Sequence, residues 1–154
     1  MKQIAVIGAG TMGNGIAHVF AQSGFKINLI DVNPSQLEKA IANIGKNFDR
    51  QIAKGTVTEE QKKAALQNLT AVTDIIEGIR NAELIVEAAT ENTELKLEIF
   101  KQIDKHVPEN CILATNTSSI SITQIAAATH RPQNVIGMHF MNPVPVMKLV
   151  EVIN

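Results

Sequence analysis

Ile4-Ala5-Val6-Ile7-Gly8-Ala9-Gly10-Thr11-Met12-Gly13 is the stretch that decides the fold. The short apolar, partly β-branched run from Ile4 to Ile7 predicts a strand buried on both faces. The glycines behind it predict a tight turn into a helix over 11–23, where Met12, Ile16, Val19 and Phe20 recur at helical spacing before Gly24 supplies the stop. Between a strand and a helix the Gly-x-Gly-x-x-Gly pattern has a physical meaning that it lacks alone. Gly8 permits the turn, Gly10 lets the backbone approach a pyrophosphate, and Gly13 lets the helix lie against the strand. The unpaired N–H groups and positive dipole end of that helix then face phosphates. A glycine-rich turn without a ligand is the alternative reading.

Working outward, Lys26 to Ile30 predicts a second strand that ends at Asp31, where a dinucleotide fold places the acid that accepts hydrogen bonds from ribose hydroxyls. A carboxylate there repels a 2′-phosphate, so NAD is the expected cofactor rather than NADP. The alternative for an Asp ahead of Asn33-Pro34 is a plain turn. Asn33 and Pro34 are also the cap and first turn of a helix running to about Lys54, with Leu37, Ile41, Ile44, Phe48 and Ile52 on one face. After Gly55, Thr58 and Gln61 form a capping-box pattern that opens a shorter helix, giving a helical hairpin between strands.

Further strands are expected at Leu69 to Val72, Ala82 to Ala88, Cys111 to Ala114 and Val135 to His139. Helices are expected at Thr93 to His106, with Leu95, Leu97, Ile99, Phe100 and Ile103 near the buried side, and at Ile120 to Ala128. The tail from Met147 to Ile153 is apolar and β-branched. Alternating strands and helices predict an α/β fold, a doubly wound and mostly parallel sheet with helices on both faces.

Composition narrows the function. At 154 residues the chain has the size of one domain, and 45% hydrophobic against 19% charged residues places it among folded globular proteins. A net charge of −1 and the absence of Trp and Tyr argue against nucleic-acid binding. No run approaches the ~18 apolar residues of a membrane span, and the start at Met1-Lys2-Gln3-Ile4 reads as a strand rather than a secretion signal. Cys111, the single cysteine, can form no internal disulfide; it is expected to be a small core residue in a soluble, cytoplasmic protein. Scattered histidines and the lack of a cysteine cluster indicate no metal.

The second half carries the candidate chemistry. Thr115-Asn116-Thr117-Ser118-Ser119 follows a strand, at the edge where open α/β sheets bind ligands, although helix capping is the plainer role for Thr117, Ser119 and Ser121. His139 ends a buried strand on the same edge, whereas His18, His106 and His130 are expected to be structural or surface residues. Glu151 stands alone among Leu149, Val150, Val152 and Ile153, and such a carboxylate is costly to bury without a partner. His139 is the candidate: a carboxylate on one ring nitrogen would leave the other to exchange a proton with substrate. The pattern alone leaves an outward-facing Glu151 equally open.

Gly8 to Gly13, Asn116-Thr117-Ser118-Ser119 and the block His139-Phe140-Met141-Asn142-Pro143-Val144-Pro145-Val146-Met147-Lys148-Leu149-Val150-Glu151-Val152 resemble the NAD-binding, Rossmann-type domain of 3-hydroxyacyl-CoA dehydrogenases, and among these the bacterial 3-hydroxybutyryl-CoA enzymes. The resemblance implies NAD-dependent interconversion of (S)-3-hydroxyacyl-CoA and 3-oxoacyl-CoA. It implies His139 as acid/base, Glu151 as its partner and Ser118 as the hydroxyl on the reacting oxygen. Thr11 and Met12 within the glycine motif, Glu91, Lys96, Asn116 and Asn142 match cofactor-binding positions, and Lys54 matches a lysine that contacts the coenzyme A portion. Met141 departs from the pattern, standing where many relatives have Phe; the swap is expected to preserve packing. Members of the family continue into a helical domain that dimerises and covers the substrate, so residues 1–154 are expected to be one cofactor domain of a homodimeric enzyme, with little turnover by itself. A non-catalytic NAD-sensing domain is the alternative; a dehydrogenase of sugar or phosphogluconate acids fits the His139 block less well.

Overall fold

The computed structural model describes residues 2–154; Met1, within the stretch read above as the first strand, lies outside the described residues. Strands β1 (Gln3–Ile7), β2 (Lys26–Ile30), β3 (Leu69–Val72), β4 (Leu84–Glu87), β5 (Ile112–Thr115), β6 (Val135–Phe140) and β7 (Val150–Ile153) form one sheet in the order β3-β2-β1-β4-β5-β6-β7. Every pairing is parallel except that of β6 with β7, so the doubly wound, mostly parallel sheet is present. The chain moves outward from β1 to β3, then returns to the other side of β1 as β4. This reversal opens a crevice at the C-terminal ends of β1 and β4, the place where such sheets take ligands.

Alternation along β1 divides the interior. Ile4 and Val6 face one layer, with Ile16 of α1 (Thr11–Gln22) and Leu37, Ile44 and Phe48 of α2 (Pro34–Ala53). Ala5 and Ile7 face the other layer, formed by α4 (Ile75–Ile79), α5 (Thr93–Asp104) and α6 (Ile122–Ala127). The helix starts follow the predicted chemistry: Asn33 Oδ1 accepts from the Ser35 N–H at 3.0 Å, and Thr58 with Gln61 closes the capping box of α3 (Glu59–Gln67). The α2–α3 hairpin packs against the first helix, α1, where Phe48 stacks on the wholly buried His18 ring with centroids 4.0 Å apart. His18 is held neutral because burial lowers its pKa, and its Nε2 faces the side-chain carbonyls of Gln51 and Gln22.

One local expectation needs correction, and two further features were not fixed by the sequence reading. The α5 helix turns Lys96, Phe100, Ile103 and Asp104 inward and leaves Leu95 exposed, since a buried acid can hold the Lys96 ammonium. The helix α4 has no apolar periodicity to announce it; Asp74 caps it, and Gly78 lets it sit where an added methyl would lie 2.5 Å from Ile30. Glu151 takes the outward-facing alternative, because β7 is the outer strand of the sheet. Cys111 is a core residue, its thiol pushed up to about 11 by burial.

At the end of the strands away from the crevice, Asp104 joins the end of α5 to the entrance of β6. It accepts from the His130 N–H at 2.8 Å, the His130 ring at 3.0 Å and Arg131 Nε at 2.7 Å. Burial works to raise its pKa, but these hydrogen bonds and the Arg131 charge outweigh burial and hold it below the ordinary carboxylate value. A depressed folded pKa contributes stability above the unfolded value of about 3.9, and that contribution is lost as pH falls through the folded pKa. Acid unfolding followed by circular dichroism should therefore be less steep below about pH 4 in Asp104→Asn, which should also be less stable than the parent at neutral pH.

Candidate functional site

The crevice begins at Gly8, whose φ of +100° turns the chain and whose N–H donates to the Ile30 carbonyl at 2.8 Å. A methyl built on Gly13 would lie 1.7 Å from the Gly8 carbonyl oxygen, so α1 can approach β1 only with glycine there. Gly10 is different: a methyl on it would meet no heavy atom within 4 Å. It is the N-cap of α1 and no side chain caps that helix, which leaves the first-turn N–H groups open toward the empty space. Thr11 is exposed and Met12 half-buried on the same first turn.

Asp31 closes one side of the crevice. Its carboxylate accepts from the Ala9 N–H at 3.0 Å and the Asn33 N–H at 2.9 Å, which leaves lone pairs for further donors. Val32, 82% exposed directly behind it, offers an apolar surface to the flat face of a base. Sequence reasoning passed over Val32; a lone apolar residue between Asp31 and Asn33 was the available signal.

The other side is a polar cluster at the ends of β4 and β5. Glu87 is wholly buried; it accepts from the Ala89 N–H at 2.7 Å, from Thr115 Oγ1 at 2.7 Å and from Lys96 Nζ. Lys96 also donates to the Ala89 carbonyl and pairs with Glu91 at 3.3 Å, so its donors are spent inside the protein. Glu91 accepts from Thr117 Oγ1 at 2.8 Å and from Ser119 Oγ. Its partial burial acts to raise its pKa, but the Ser119 and Thr117 hydroxyls and the Lys96 charge prevail and lower it. Asn116 Oδ1 accepts from the Phe140 N–H at 2.8 Å, fastening this loop to β6. Ser118 is exposed and its hydroxyl has no hydrogen-bond partner among the described residues.

Thr117 and Ser119 therefore hold Glu91 instead of capping the next helix, whereas Ser121 is the cap of α6, accepting from the Gln124 N–H at 3.2 Å. The acid that does need a buried partner is Glu87, not Glu151. Its signal lay in Leu84-Ile85-Val86-Glu87, another lone carboxylate on an apolar strand.

His139 is half-buried near the end of β6, on the face of the sheet that α6 covers. Glu151 stands directly opposite it across the antiparallel β6–β7 pair, yet no hydrogen bond joins the two. Residues so opposed have Cβ atoms about 4.5–5.5 Å apart, within reach of a side-chain rotation. Asn142 is exposed just beyond β6. Lys54, the exposed C-cap of α2, stands apart, at the far end of a 20-residue helix about 30 Å long that starts beside Asp31.

Residues 3–154 match the family described as 3-hydroxyacyl-CoA dehydrogenase, NAD binding domain. The chain belongs to this family. It is similar to a probable 3-hydroxybutyryl-CoA dehydrogenase of Bacillus subtilis, 49% identical over 153 residues that make up 99% of this chain and 53% of the relative. A 3-hydroxybutyryl-CoA dehydrogenase of Bradyrhizobium diazoefficiens is 47% identical, again with 99% of this chain and 52% of the relative covered. The crystal structure of (S)-3-hydroxybutyryl-CoA dehydrogenase from Ralstonia eutropha superposes with a TM-score of 0.95 at 45% identity, covering 99% of this chain and 53% of that one. The chain thus spans about half the length of these relatives.

Membership in an NAD-binding family makes NAD the cofactor, and the crevice fits it: uncapped N–H groups for the pyrophosphate, free space at Gly10, and the Asp31 carboxylate for ribose hydroxyls. The last and the middle glycine of the motif should separate stability from binding. Gly13→Ala should lower Tm by about 4–8 °C or more through the clash with Gly8. Gly10→Ala should stay within about 1 kcal/mol of the parent in stability yet bind NADH at least tenfold more weakly in a fluorescence titration.

Proposed function

We propose that this chain is the cofactor-binding half of a dehydrogenase that interconverts (S)-3-hydroxyacyl-CoA, such as 3-hydroxybutyryl-CoA, and the 3-oxoacyl-CoA. The observation that carries the reading is the Ser118 hydroxyl, left exposed and free while its neighbours Thr115, Asn116, Thr117 and Ser119 are tied to fixed partners. It lies on the strand-end loop next to β6, and β6 carries His139. The names of the similar proteins supply the substrate class.

Bound NAD supplies the hydride acceptor. The first turn of α1 and Asp31 hold the cofactor, and Ser118 donates a hydrogen bond to the substrate's C3 oxygen. His139 takes the proton of the C3 hydroxyl in oxidation and returns it in reduction, and Glu151, rotated toward the ring, stabilises the imidazolium that forms. Asn116 and Asn142 border the path between cofactor and substrate, and Glu91 and Lys96 fix the cofactor side of the Ser118 loop. Lys54 is an exposed cation suited to the phosphates of coenzyme A.

A helical domain following residue 154, shared between two copies in a homodimer, would complete the pocket. Support comes from Val146, Met147, Leu149, Val152 and Ile153, an exposed apolar strip leading into and along β7, and from relatives of nearly twice this length. Covering β7 would also dry the space between His139 and Glu151 and strengthen their attraction. No helix among the described residues is long and apolar enough to cross a membrane, and with a single buried cysteine the cytoplasm is the compartment proposed.

The chain alone should bind NADH at least about tenfold more tightly than NADPH, and equal affinity would remove the role of Asp31. Joined to the C-terminal half of the Bacillus subtilis relative, it should oxidise NADH with acetoacetyl-CoA. His139→Ala in that chimera should cut turnover by about 10²–10⁴ while NADH affinity holds. A folded chimera that binds NADH without turnover would favour the non-catalytic sensor instead.

A further inference from the structure

We propose that Glu87 and Thr115 are positioning residues, which through Lys96 and Glu91 hold the two walls of the crevice in one fixed relation. The inference rests on the dehydrogenase reading only for what the walls do; the coupling between them stands on hydrogen bonds. One wall is Ala88-Ala89, on which the glycine turn is seated: a methyl at Gly8 would lie 2.7 Å from the Ala88 carbonyl oxygen, and the Ala88 N–H donates to Ile7 at 2.8 Å. The other wall is the loop from Asn116 to Ile120, which presents Ser118.

Glu87 Oε2 accepts from the Ala89 N–H, which sets the first wall, and its Oε1 accepts from Thr115 Oγ1 at 2.7 Å. Thr115 Oγ1 in turn lies 3.3 Å from the Thr117 N–H, and Thr117 Oγ1 receives the N–H groups of Ser119 at 3.4 Å and Ile120 at 3.2 Å. Lys96 binds the same Glu87 oxygen and the Ala89 carbonyl, then passes to Glu91, whose other oxygen collects the Thr117 and Ser119 hydroxyls. The two walls are therefore joined twice, once through Thr115 and once through Lys96. Glu87, Lys96 and Thr115 are each at most 1% exposed, so water cannot replace a lost partner cheaply. A shift of the cofactor wall must then move the Ser118 loop, and ordering of one wall by NADH must order the other.

Thr115→Val keeps the shape and removes the hydroxyl; Thr115→Ser keeps the hydroxyl and removes a methyl. Amide hydrogen exchange of the whole chain, read residue by residue by NMR, should quicken by an order of magnitude or more in Thr115→Val at Ala89, Thr117, Ser119 and Ile120 together, with several-fold weaker NADH binding. In Thr115→Ser both should stay near the parent. The reverse ranking would reduce Thr115 to a packing residue and overturn the proposal. Ser119→Ala, at an exposed position that tolerates change, tests the second connection whether or not Thr115→Val folds: it should quicken exchange at Ala89 across the crevice. Exchange confined to the loop in Ser119→Ala would break the proposed coupling. Failure of the unaltered chain to bind NADH would instead refute the functional reading and leave the exchange comparison standing.

Discussion

The contact on which the rest depends is backbone against backbone: Gly13 on α1 meeting the carbonyl of Gly8 at the end of β1, with no room for a side chain between them. It draws the helix N-terminus down onto the sheet edge at the strand-order reversal, where the first-turn N–H groups point into the crevice rather than past it. Everything polar in the site is then placed relative to that turn. The Asp31 carboxylate reaches the Ala9 N–H within it, and the Ala88-Ala89 segment lies beneath Gly8. Farther along α1, Gly15 permits a second close approach, since a methyl there would lie 2.8 Å from Val144 in the segment that follows β6. One helix thereby touches the chain just after the first strand and just after the sixth, which fixes the cofactor end of the crevice relative to the end that carries His139.

Much of this was legible from Ile4 to Gly13 alone, because sterics leave few options there: a buried strand, a turn that needs positive φ, and a helix that needs no Cβ at its third residue. The capped hairpin was equally readable, since Asn33, Thr58 and Gln61 act on N–H groups within three residues of themselves. What sequence reasoning misjudged depends on distant partners. The spacing sets Leu95 near the buried side of α5, because nothing near Lys96 in the sequence shows that Glu87, on the preceding strand, lies beneath it. With Lys96 turned inward, Leu95 is turned outward. The α4 helix has too few residues for periodicity and owes its place to Asp74 and to Gly78 fitting over Ile30.

Glu87 and Glu151 make the same point from opposite sides. Each is a single acid on an apolar strand, and a rule about the cost of burying a charge cannot tell them apart. Position in the sheet can: β4 has a strand on both sides and helices on both faces, whereas β7 is the outermost strand. The sequence of β7, with its apolar residues exposed on both faces, looks interior because those residues are suited to a surface that can be covered. Register sets His139 and Glu151 opposite each other across the β6–β7 pair, and no hydrogen bond joins them.

A buried ion pair is a poor device for stability alone, since desolvating a carboxylate and an ammonium offsets most of their attraction and apolar side chains of similar volume serve as well. What apolar side chains cannot do is point. The Glu87 carboxylate has two oxygens at a fixed angle, and here one aims at the β5 end while the other holds the β4 turn and Lys96. Lys96 adds three donors in directions of its own and passes the constraint to Glu91. Packed hydrocarbon would leave the Thr115–Ser119 loop free to rotate its hydroxyls among several partners. With the pair in place, each hydroxyl of that loop has an assigned acceptor except the one on Ser118, which is how a segment built almost entirely of similar small polar residues presents a single one of them outward.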